Sequence, residues 1–463
     1  MTALWNPTSI KQALPASILE GKCCGNRLCI DSRTIQPLDI FVALKGTNTD
    51  GHKYLGKAFE SGASCALVEY IPKEFEDKGN FIIVPNVKEA LVQLAEFNQA
   101  RSNATIIAIT GSVGKTSTKE ALSIVCQAAG QTFCSSGNFN NDLGLPITMA
   151  SMPLDTQYGI FELGMNHAGE IEALTKLARP DIAVITTIES VHLEYFKSVE
   201  DIARAKGEIF LGMNEDGIAV LNGDNKYYSL LASLAKDAGI KQIFSFGTKP
   251  SNDGVLIDYY QQKHLVKASI FNEKIEYALK AYGRHQALNT IAVLTVAKLL
   301  KLDLQASANA LEKFSNLRGR GEISELKISG KRMCLIDDSY NASPASMKAA
   351  LQVIKNLHND FIKRKIIVLA DMYELGPESV QAHVSLLEPI LESGANHLIT
   401  VGELMKNLFD AAPKQIKLAH FENYNTAKEA LLNLIEDCDC ILFKGSHGSK
   451  IYEVVQHLKE QSV

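Results

Sequence analysis

The residues best suited to chemistry form a short glycine-rich stretch, Thr-Gly-Ser-Val-Gly-Lys-Thr-Ser, at positions 110–117. Glycines let the backbone turn its amides toward one point, and the N-terminus of a following helix favours an anion there. Lys115 can reach the outer oxygens of a phosphate, and the Thr116 hydroxyl can hold Mg²⁺. The stretch predicts a phosphate cradle. Its residues are Gly111, Ser112, Val113, Gly114, Lys115, Thr116 and Ser117.

The motif is shorter than a full P-loop, because Ile109 stands where the first glycine of the longer pattern would be. A glycine-rich turn before an ordinary helix would give a similar string, so both interpretations stay open on these residues alone. The elements around the motif are clearer. The run from Thr105 to Thr110 predicts a strand covered on both faces, and Lys115 is expected to begin a helix.

Polar side chains also follow two other predicted strands. Glu162 comes directly after an apolar run that ends at Phe161, and His192 follows a predicted strand over 181–188. Because the carboxyl ends of parallel strands meet at one edge of a sheet, Glu162 and His192 are expected near Lys115. Singly, each could instead be a capped or solvated side chain.

Two further segments are ambiguous. Residues 136–146 carry Asn138, Asn140 and Asn141, whose amides suit a polar ligand but also build turns. A predicted amphipathic helix over 200–211 carries Lys206 on its polar face, where a lone lysine is usually solvated.

These residues need three successive α/β units to position them, which a chain of 463 residues can supply. Residues 1–100 predict a small α/β domain, with strands over 28–30, 39–44, 65–68 and 81–84 and helices over 54–61 and 88–100. Residues 101–317 predict longer α/β units with a mostly parallel sheet, ending in an apolar helix over 283–299. A basic, flexible linker is expected over 317–321.

Residues 318–463 predict a third, doubly wound Rossmann-like domain. Its predicted strands cover 332–336, 365–369, 397–401 and 440–443. Its predicted helices cover 346–357, 378–391, 426–435 and 449–459. Polar groups again follow the strand ends, including Asp338, Tyr340 and Lys444.

Composition narrows the functional class. A formal charge of −5 gives no general field that attracts nucleic acid, so a small substrate is expected. With no leader-like N-terminus and no apolar window of about 18 residues, we expect a cytoplasmic protein without membrane insertion. The nine cysteines show no paired metal-ligand spacing and predict free thiols.

Taken in order, the motifs closely resemble those of the Mur ligase family from end to end. The matching segments are 31–33, 110–116, 137–141, 162–164, 169–171, 192–194, 203–209, 337–342, 374–376 and 444–446. The resemblance implies an N-terminal domain that holds the UDP part of a substrate, a central ATPase and a C-terminal ligase domain that closes over ATP. It further implies a monomer that joins UDP-N-acetylmuramoyl-tripeptide to D-alanyl-D-alanine through an acyl phosphate, releasing ADP and phosphate.

The resemblance also gives roles to residues that are ambiguous by themselves. Lys206 matches the carbamylated lysine of the family, which holds a second Mg²⁺, and Thr116, Glu162 and His192 match the other metal-proximal positions. The implied catalytic set consists of Lys115, Glu162, His192 and Lys206. On the nucleotide side the implied residues are Asn289, Arg320 and Asp338. The implied substrate-binding residues are Ser32, Arg33, Lys45, Asn138, Asn140, Asn141, Tyr340, Asn341, Lys444 and Ser446.

Two departures from the family pattern stand out. Gln286 replaces an asparagine beside the adenine, and His447 replaces an arginine expected after Lys-Gly-Ser, so Lys444 or Lys450 could compensate. The alternatives are a folylpolyglutamate synthase-like enzyme, a ligase of an earlier muramoyl-peptide step, and an ATP-driven regulator without ligase activity. Lys206 argues against a regulator, which has no need for a carbamate. Neither the third peptide residue, diaminopimelate or lysine, nor the angle between the domains follows from the sequence.

Overall fold

A computed structural model gives the fold of residues 3–46, 49–135, 137 and 139–462. Over these ranges the strands form three sheets, of five, nine and six strands, one after another along the chain. Helices alternate with most strands, which confirms the predicted α/β class and its three successive units. The boundaries drawn at residues 100 and 317 stay predictions.

The first sheet has the order β1-β5-β4-β3-β2, with only β1 antiparallel to its neighbour. All four predicted strands and both predicted helices are present within a few residues. The first helix and first strand were missed, although Asn6 and Ser9 form a capping box at the start of that helix. The elements are β1 Ile18–Glu20, β2 Arg27–Cys29, β3 Asp39–Val42, β4 Cys65–Val68, β5 Phe81–Ile83, α1 Pro7–Ala13, α2 Leu55–Glu60 and α3 Val87–Ala100.

The strands of the second sheet are β6 Thr105–Thr110, β7 Thr132–Cys134, β8 Tyr158–Glu162, β9 Ile182–Ile185, β10 Ile218–Asn222, β11 Gln242–Gly247, β12 Gly254–Tyr260, β13 Leu265–Ile270 and β14 Glu273–Ala278. Their order is β14-β13-β12-β11-β10-β9-β6-β8-β7, parallel from β7 to β12. Since β6 lies between β8 and β9, the carboxyl ends of these three strands meet at one point.

The helices of this unit are α4 Lys115–Gln127, α5 Gly144–Ala150, α6 Glu170–Ala178, α7 Val199–Gly207, α8 Tyr228–Asp237, α9 Arg284–Leu299 and α10 Leu304–Ala310. The strand predicted over 181–188 is shorter and ends at Ile185. Beyond it, the Thr186 hydroxyl donates a hydrogen bond of 2.6 Å to the carbonyl of Val113. The chain therefore leaves the sheet to brace the glycine-rich loop.

The third sheet has the order β15-β16-β20-β17-β18-β19, and only β15 is antiparallel to its neighbour. Apolar clusters lie on both faces, which confirms a doubly wound unit. The strands are β15 Glu322–Ile328, β16 Lys331–Asp338, β17 Arg364–Ala370, β18 His397–Val401, β19 Lys417–Phe421 and β20 Asp439–Lys444. The helices are α11 Pro344–Lys355, α12 Ser379–Val384, α13 Leu387–Glu392, α14 Glu403–Ala411, α15 Tyr424–Leu434 and α16 Ile451–Glu460.

The helix predicted over 378–391 is two helices. Pro389 lacks an amide proton, and its ring clashes with the carbonyl of Ser385, so the break falls between α12 and α13. Within this third unit, β15, α14 and β19 were not predicted.

The predicted flexible linker is a hydrogen-bonded turn. The amide of Arg320 donates to Leu317 over 2.8 Å, and the amide of Gly321 donates to Asp337 of β16 over 2.8 Å. Gly319 and Gly321 have φ of 70° and 85°, a backbone region that favours glycine. The turn fixes the start of the third unit and the position of Arg320.

None of the described helices combines the length and apolarity needed to cross a membrane. All nine cysteines lie in the described ranges and are free thiols, as predicted.

Candidate active site

The carboxyl edge of β6 opens on a cavity of about 1020 Å³ between the second and third sheets. The cavity walls contain most of the predicted active-site residues. These are Ser112, Val113, Gly114, Lys115, Thr116, Ser117, Asn140, Asn141, Glu162, His192, Asn289, Arg320, Asp338, Tyr340, Asn341, Lys444 and Ser446.

The glycine-rich loop between β6 and α4 forms the floor of the cavity. Gly111 has φ 147° and Gly114 has φ 89°, and a Cβ on Gly114 would lie 3.0 Å from Oδ1 of Asn289. The Ser112 hydroxyl donates to the carbonyl of Glu189 over 3.2 Å. The loop is thus held from both sides with the helix N-terminus of α4 facing the cavity, the arrangement that binds a phosphate.

Lys115 folds back over the loop, and its Nζ donates to the carbonyl of Gly111 over 2.8 Å. Burial lowers the pKa of Lys115, the Glu162 carboxylate opposes this effect, and the nearby Arg320 adds to it. A phosphate bound at the loop would supply a negative counter-charge for the partly desolvated Lys115 cation.

Glu162 ends β8 and is 3% exposed. Its Oε2 accepts a hydrogen bond of 2.8 Å from the Thr116 hydroxyl, and its Oε1 accepts one of 2.9 Å from Nδ2 of Asn140. The carboxylate is therefore held rigidly beside the phosphate loop. A carboxylate and a hydroxyl next to phosphate oxygens are a donor set that fits Mg²⁺.

Lys206 is not the solvated lysine that the amphipathic pattern favours. It is 1% exposed at the end of α7, although it does not line the cavity itself. Burial lowers the pKa of Lys206 well below its ordinary value, and the positive charge of Lys115 lowers it further, against a smaller opposing effect of Glu162. The amine therefore lies close enough to Lys115 and Glu162 to feel their charges, and burial shifts it toward its neutral form.

His192 lies in the loop after β9 and lines the cavity, but its Nδ1 pairs with Oε2 of Glu374 over 2.5 Å. Among the hydrogen bonds of the described residues, none joins His192 to Thr116 or Glu162. Nor do the described ranges contain three His, Cys, Asp or Glu side chains grouped to hold a metal ion. The structure thus pairs Thr116 with Glu162, and a metal set that includes His192 and Lys206 stays a prediction.

The start of α9 packs against the loop and the first turn of α4. Nε2 of Gln286 reaches Oγ of Ser117 over 3.4 Å, and Nδ2 of Asn289 reaches Oε1 of Gln286 over 3.4 Å. The side chain of Gln286, which is longer than that of asparagine, is therefore accommodated by its contact with α4.

The third unit closes the cavity with charged and aromatic groups. Nζ of Lys444 lies 2.7 Å from Asp338 and donates to the carbonyl of Asn341 over 2.9 Å. Burial raises the pKa of Asp338, and the Lys444 cation opposes this effect. The guanidinium of Arg320 stacks on Tyr340 at 4.1 Å. These contacts fix two cations at the cavity wall.

The position where an arginine was expected also belongs to this wall. His447 stacks on Tyr452 with ring centroids 4.9 Å apart, and the Ser446 hydroxyl accepts a hydrogen bond of 2.9 Å from the amide of Tyr373. Lys450 does not substitute for the arginine in the described structure, because its amine lies over the ring of Tyr424 at 5.4 Å.

The residues implied to bind the UDP part lie elsewhere. None of the described residues that line the cavity comes from residues 1–100, the part implied to hold UDP. Arg33 forms an exposed ion pair with Asp31 at 2.7 Å, Ser32 is buried, and Lys45 forms a backbone bridge with Asp50. The predicted substrate residue Asn138 falls outside the described residues.

Among the cavity-lining residues that sequence reasoning missed, Thr186, Glu189 and Glu374 matter most for the geometry. Thr186 braces the loop, Glu189 carries a pKa raised by burial, and Glu374 holds His192. The first two follow an apolar run, a signal that could have found them. Glu374 lies in a matching motif, but its partner is 182 positions away.

Sequence profiles of known families match all three units. The Mur ligase family catalytic domain matches residues 26–99, the Mur ligase middle domain matches 109–297, and the Mur ligase glutamate ligase domain matches 319–447.

Individual proteins agree with these profiles. The UDP-N-acetylmuramoyl-tripeptide–D-alanyl-D-alanine ligase of Rickettsia prowazekii is 40% identical over 98% of this chain and 99% of its own length. A crystal structure of MurF from Acinetobacter baumannii has a TM-score of 0.83 at 28% identity, covering 98% of this chain and 99% of that one. MurF ligase from Thermotoga maritima in complex with ADP has a TM-score of 0.77 at 25% identity, covering 94% and 97%. With such identity over nearly its whole length, the chain belongs to the Mur ligase family.

Proposed function

We propose that the protein is an ATP-dependent ligase that joins the carboxylate of UDP-N-acetylmuramoyl-tripeptide to the amine of D-alanyl-D-alanine, in the synthesis of peptidoglycan precursors. We assign the UDP part to residues 1–100, ATP to 101–317 and the incoming dipeptide to 318–463. The protein acts in the cytoplasm as a monomer, without nucleic acid or membrane insertion.

One observation carries the proposal. The phosphate loop, with Lys115 and the Thr116–Glu162 pair, faces the strand ends of the third sheet across a single cavity. A triphosphate on the loop would therefore have its outer phosphate in the gap where two further substrates can meet.

The first step makes the carboxylate reactive. A carboxylate is a poor acyl donor, so the tripeptide carboxylate attacks the γ-phosphorus of ATP, and the bond to the bridging oxygen breaks to release ADP. Lys115 and Arg320 supply positive charge where negative oxygens crowd together, which lowers the barrier to phosphoryl transfer. Lys115 exchanges the Gly111 carbonyl for a phosphate oxygen in this step.

Thr116 and Glu162 are the residues that would hold Mg²⁺, with a second ion toward His192 and Lys206. When bound, these ions neutralise phosphate charge. Glu162 keeps its orientation through Asn140, so no rearrangement of the carboxylate is needed.

Lys206 is suited to carbamylation. Only a neutral amine adds CO₂, giving a carbamate anion and releasing one proton, and burial shifts the amine of Lys206 toward that form. The modification would replace an uncharged amine by an anion that Lys115 attracts.

In the second step, the dipeptide amine attacks the acyl carbon, the bond to the phosphate oxygen breaks to release phosphate, and the nitrogen loses one proton as the amide forms. Water would hydrolyse the acyl phosphate, so the cavity must close before the first step. Tyr340, Asn341, Lys444 and Ser446 line the side from which the amine enters, and His447 takes the place of the expected arginine there.

The experiment is an ADP-release assay with each substrate alone and with both together. We expect release only when UDP-N-acetylmuramoyl-tripeptide and D-alanyl-D-alanine are both present. Comparing tripeptides with diaminopimelate and with lysine at the third position identifies which of the two the enzyme uses. Release with a dipeptide substrate and a single amino acid, or with a folate and glutamate, would reassign the protein within the family. ATP turnover that no amine acceptor changes would favour a regulator.

A further inference from the structure

Two loops from different sheets meet at the mouth of the cavity. The loop after β9 presents His192, whose Nδ1 lies 2.5 Å from Oε2 of Glu374 in the loop after β17. Beside this pair the amide of Glu194 donates to the carbonyl of Glu374 over 3.2 Å, and a Cβ on Gly376 would lie 3.3 Å from the carbonyl of Leu193. The loops are therefore in contact along both backbone and side chains.

Both members of the pair have a left-handed backbone. His192 has φ 58° and Glu374 has φ 62°, in a region that residues other than glycine seldom adopt. Such a conformation is unfavourable for each residue and persists where the surrounding structure enforces it. The contact between these side chains, which are 21% and 40% exposed, contributes little stability by itself. The loops thus hold the pair in place, and the pair does not hold the loops.

The pair has a chemical consequence for the imidazole. A neutral imidazole carries one proton, and a carboxylate at Nδ1 places that proton on Nδ1, where it can be donated. Nε2 is then the nitrogen with a free lone pair, and His192 lines the cavity. The carboxylate at Nδ1 also fixes the plane of the ring, as acidic partners do for histidines whose other nitrogen binds a metal ion.

We propose that Glu374 is a positioning residue, which orients His192 toward a phosphate-bound divalent cation only when the third unit docks on the second. This inference rests on the proposed function. Because Glu374 belongs to the third unit and His192 to the second, the cation site is complete only in the closed arrangement. Closure and the neutralisation of phosphate charge are thereby coupled, and ATP is not activated while the cavity is open to water.

The test uses the full-length protein with Glu374→Ala, Glu374→Gln and, as a matched control, Glu378→Gln, which changes an exposed carboxylate on the same loop. The first measurement is made without metal or nucleotide. Nitrogen-15 spectra of labelled histidine, with His192 assigned through His192→Asn, report which ring nitrogen carries the proton. We expect Nδ1 in the parent protein and in Glu378→Gln, and Nε2 in Glu374→Ala.

The second measurement is the affinity for Mn²⁺ in the presence of a non-hydrolysable ATP analogue, followed by the electron paramagnetic resonance signal of free Mn²⁺. We expect Glu374→Ala to weaken binding by about 10- to 100-fold. Glu374→Gln, which keeps an acceptor oxygen, should weaken binding less, and Glu378→Gln should not change it.

An unchanged tautomer in Glu374→Ala, or Mn²⁺ affinity equal to that of the parent, overturns the proposal. Neither readout needs turnover. A parent protein that fails to ligate in the ADP-release assay would therefore disprove the proposed function, while a parent that ligates and a Glu374→Ala variant that binds Mn²⁺ normally would disprove only the role of Glu374.

Discussion

Replacing Gly111 by alanine tests the geometry of the phosphate loop most directly. Gly111 has φ 147°, and a Cβ at this position would lie 2.0 Å from the Thr186 hydroxyl oxygen and 3.2 Å from its Cβ. That hydroxyl donates to the carbonyl of Val113 over 2.6 Å. The added methyl group must therefore displace Thr186, and the loop loses its brace.

The expected cost has two parts. A left-handed backbone at a residue with a side chain costs about 1–3 kcal/mol, and the lost hydrogen bond costs about 1 kcal/mol. A total of about 3 kcal/mol would lower the melting temperature of a cooperative unit of ~200 residues by about 6–12 °C. ADP release should fall more steeply, because the loop amides no longer converge on a phosphate.

Gly239→Ala is the matched control. Gly239 also has a positive φ, of 89°, but a Cβ on this residue would have no atom within 4 Å, and the residue does not line the cavity. We expect a smaller loss, of about 1–2 kcal/mol from the backbone alone, with ADP release retained.

A second change separates collision from backbone strain. Thr186→Ala removes the hydroxyl, so the double variant Gly111→Ala/Thr186→Ala should be less destabilised than the sum of the two single variants. Thermal melts and ADP release are measured on the parent protein, the two single variants, the double variant and Gly239→Ala. The reasoning is refuted if Gly111→Ala melts and turns over like Gly239→Ala, or if the two changes at 111 and 186 are simply additive.

Three further outcomes are expected. Lys206→Ala should reduce ADP release by about 100-fold or more and abolish a carbamate carbon signal seen with ¹³CO₂; turnover equal to the parent would contradict the proposed modification. Burial, with a smaller effect of Lys444, lowers the pKa of His285 to about 4. The unfolded chain, in which the histidine pKa is about 6.5, therefore takes up the proton first. The stability that neutral His285 provides above pH ~6.5 is lost as the pH falls from ~6.5 to ~4. Between pH ~6.5 and ~4.5, the free energy of unfolding of His285→Asn should fall by about 2 kcal/mol less than that of the parent. An equal fall in the two proteins, measured by melting at each pH, would count against this. Arg364→Met should lower stability by about 3 kcal/mol, because it leaves Asp439, fully buried and bound by two guanidinium hydrogen bonds of 2.8 Å, without a partner cation; an unchanged melting temperature would disprove it.

Local sequence patterns predicted most of the framework. A β-branched run, two glycines and a helix beginning at Lys115 recur in the structure at the expected positions, since each depends on backbone preferences of neighbouring residues. Strands with continuous apolar runs, such as Cys65–Val68 and His397–Val401, were predicted to the residue. Short or polar elements such as α1 and β19 escaped, because too few residues repeat to define a period.

The placement of Glu162 beside Thr116 was also foreseeable, because the ends of neighbouring parallel strands meet at a known edge. That argument fixes which strand end a residue occupies. It does not give the partner of each side chain, as His192 shows.

The sequence by itself determined the order of the α/β units, the phosphate loop and the resemblance to a family of ligases, since these follow from local preferences and short motifs. Only the tertiary structure decided that Lys206 is buried beside Lys115 rather than solvated, that Thr186 braces the loop, and that Glu374 meets His192. The physical reason is that burial and pairing depend on segments far apart in the chain, and a helical period reads the same for a lysine in water as for one enclosed by a neighbouring sheet.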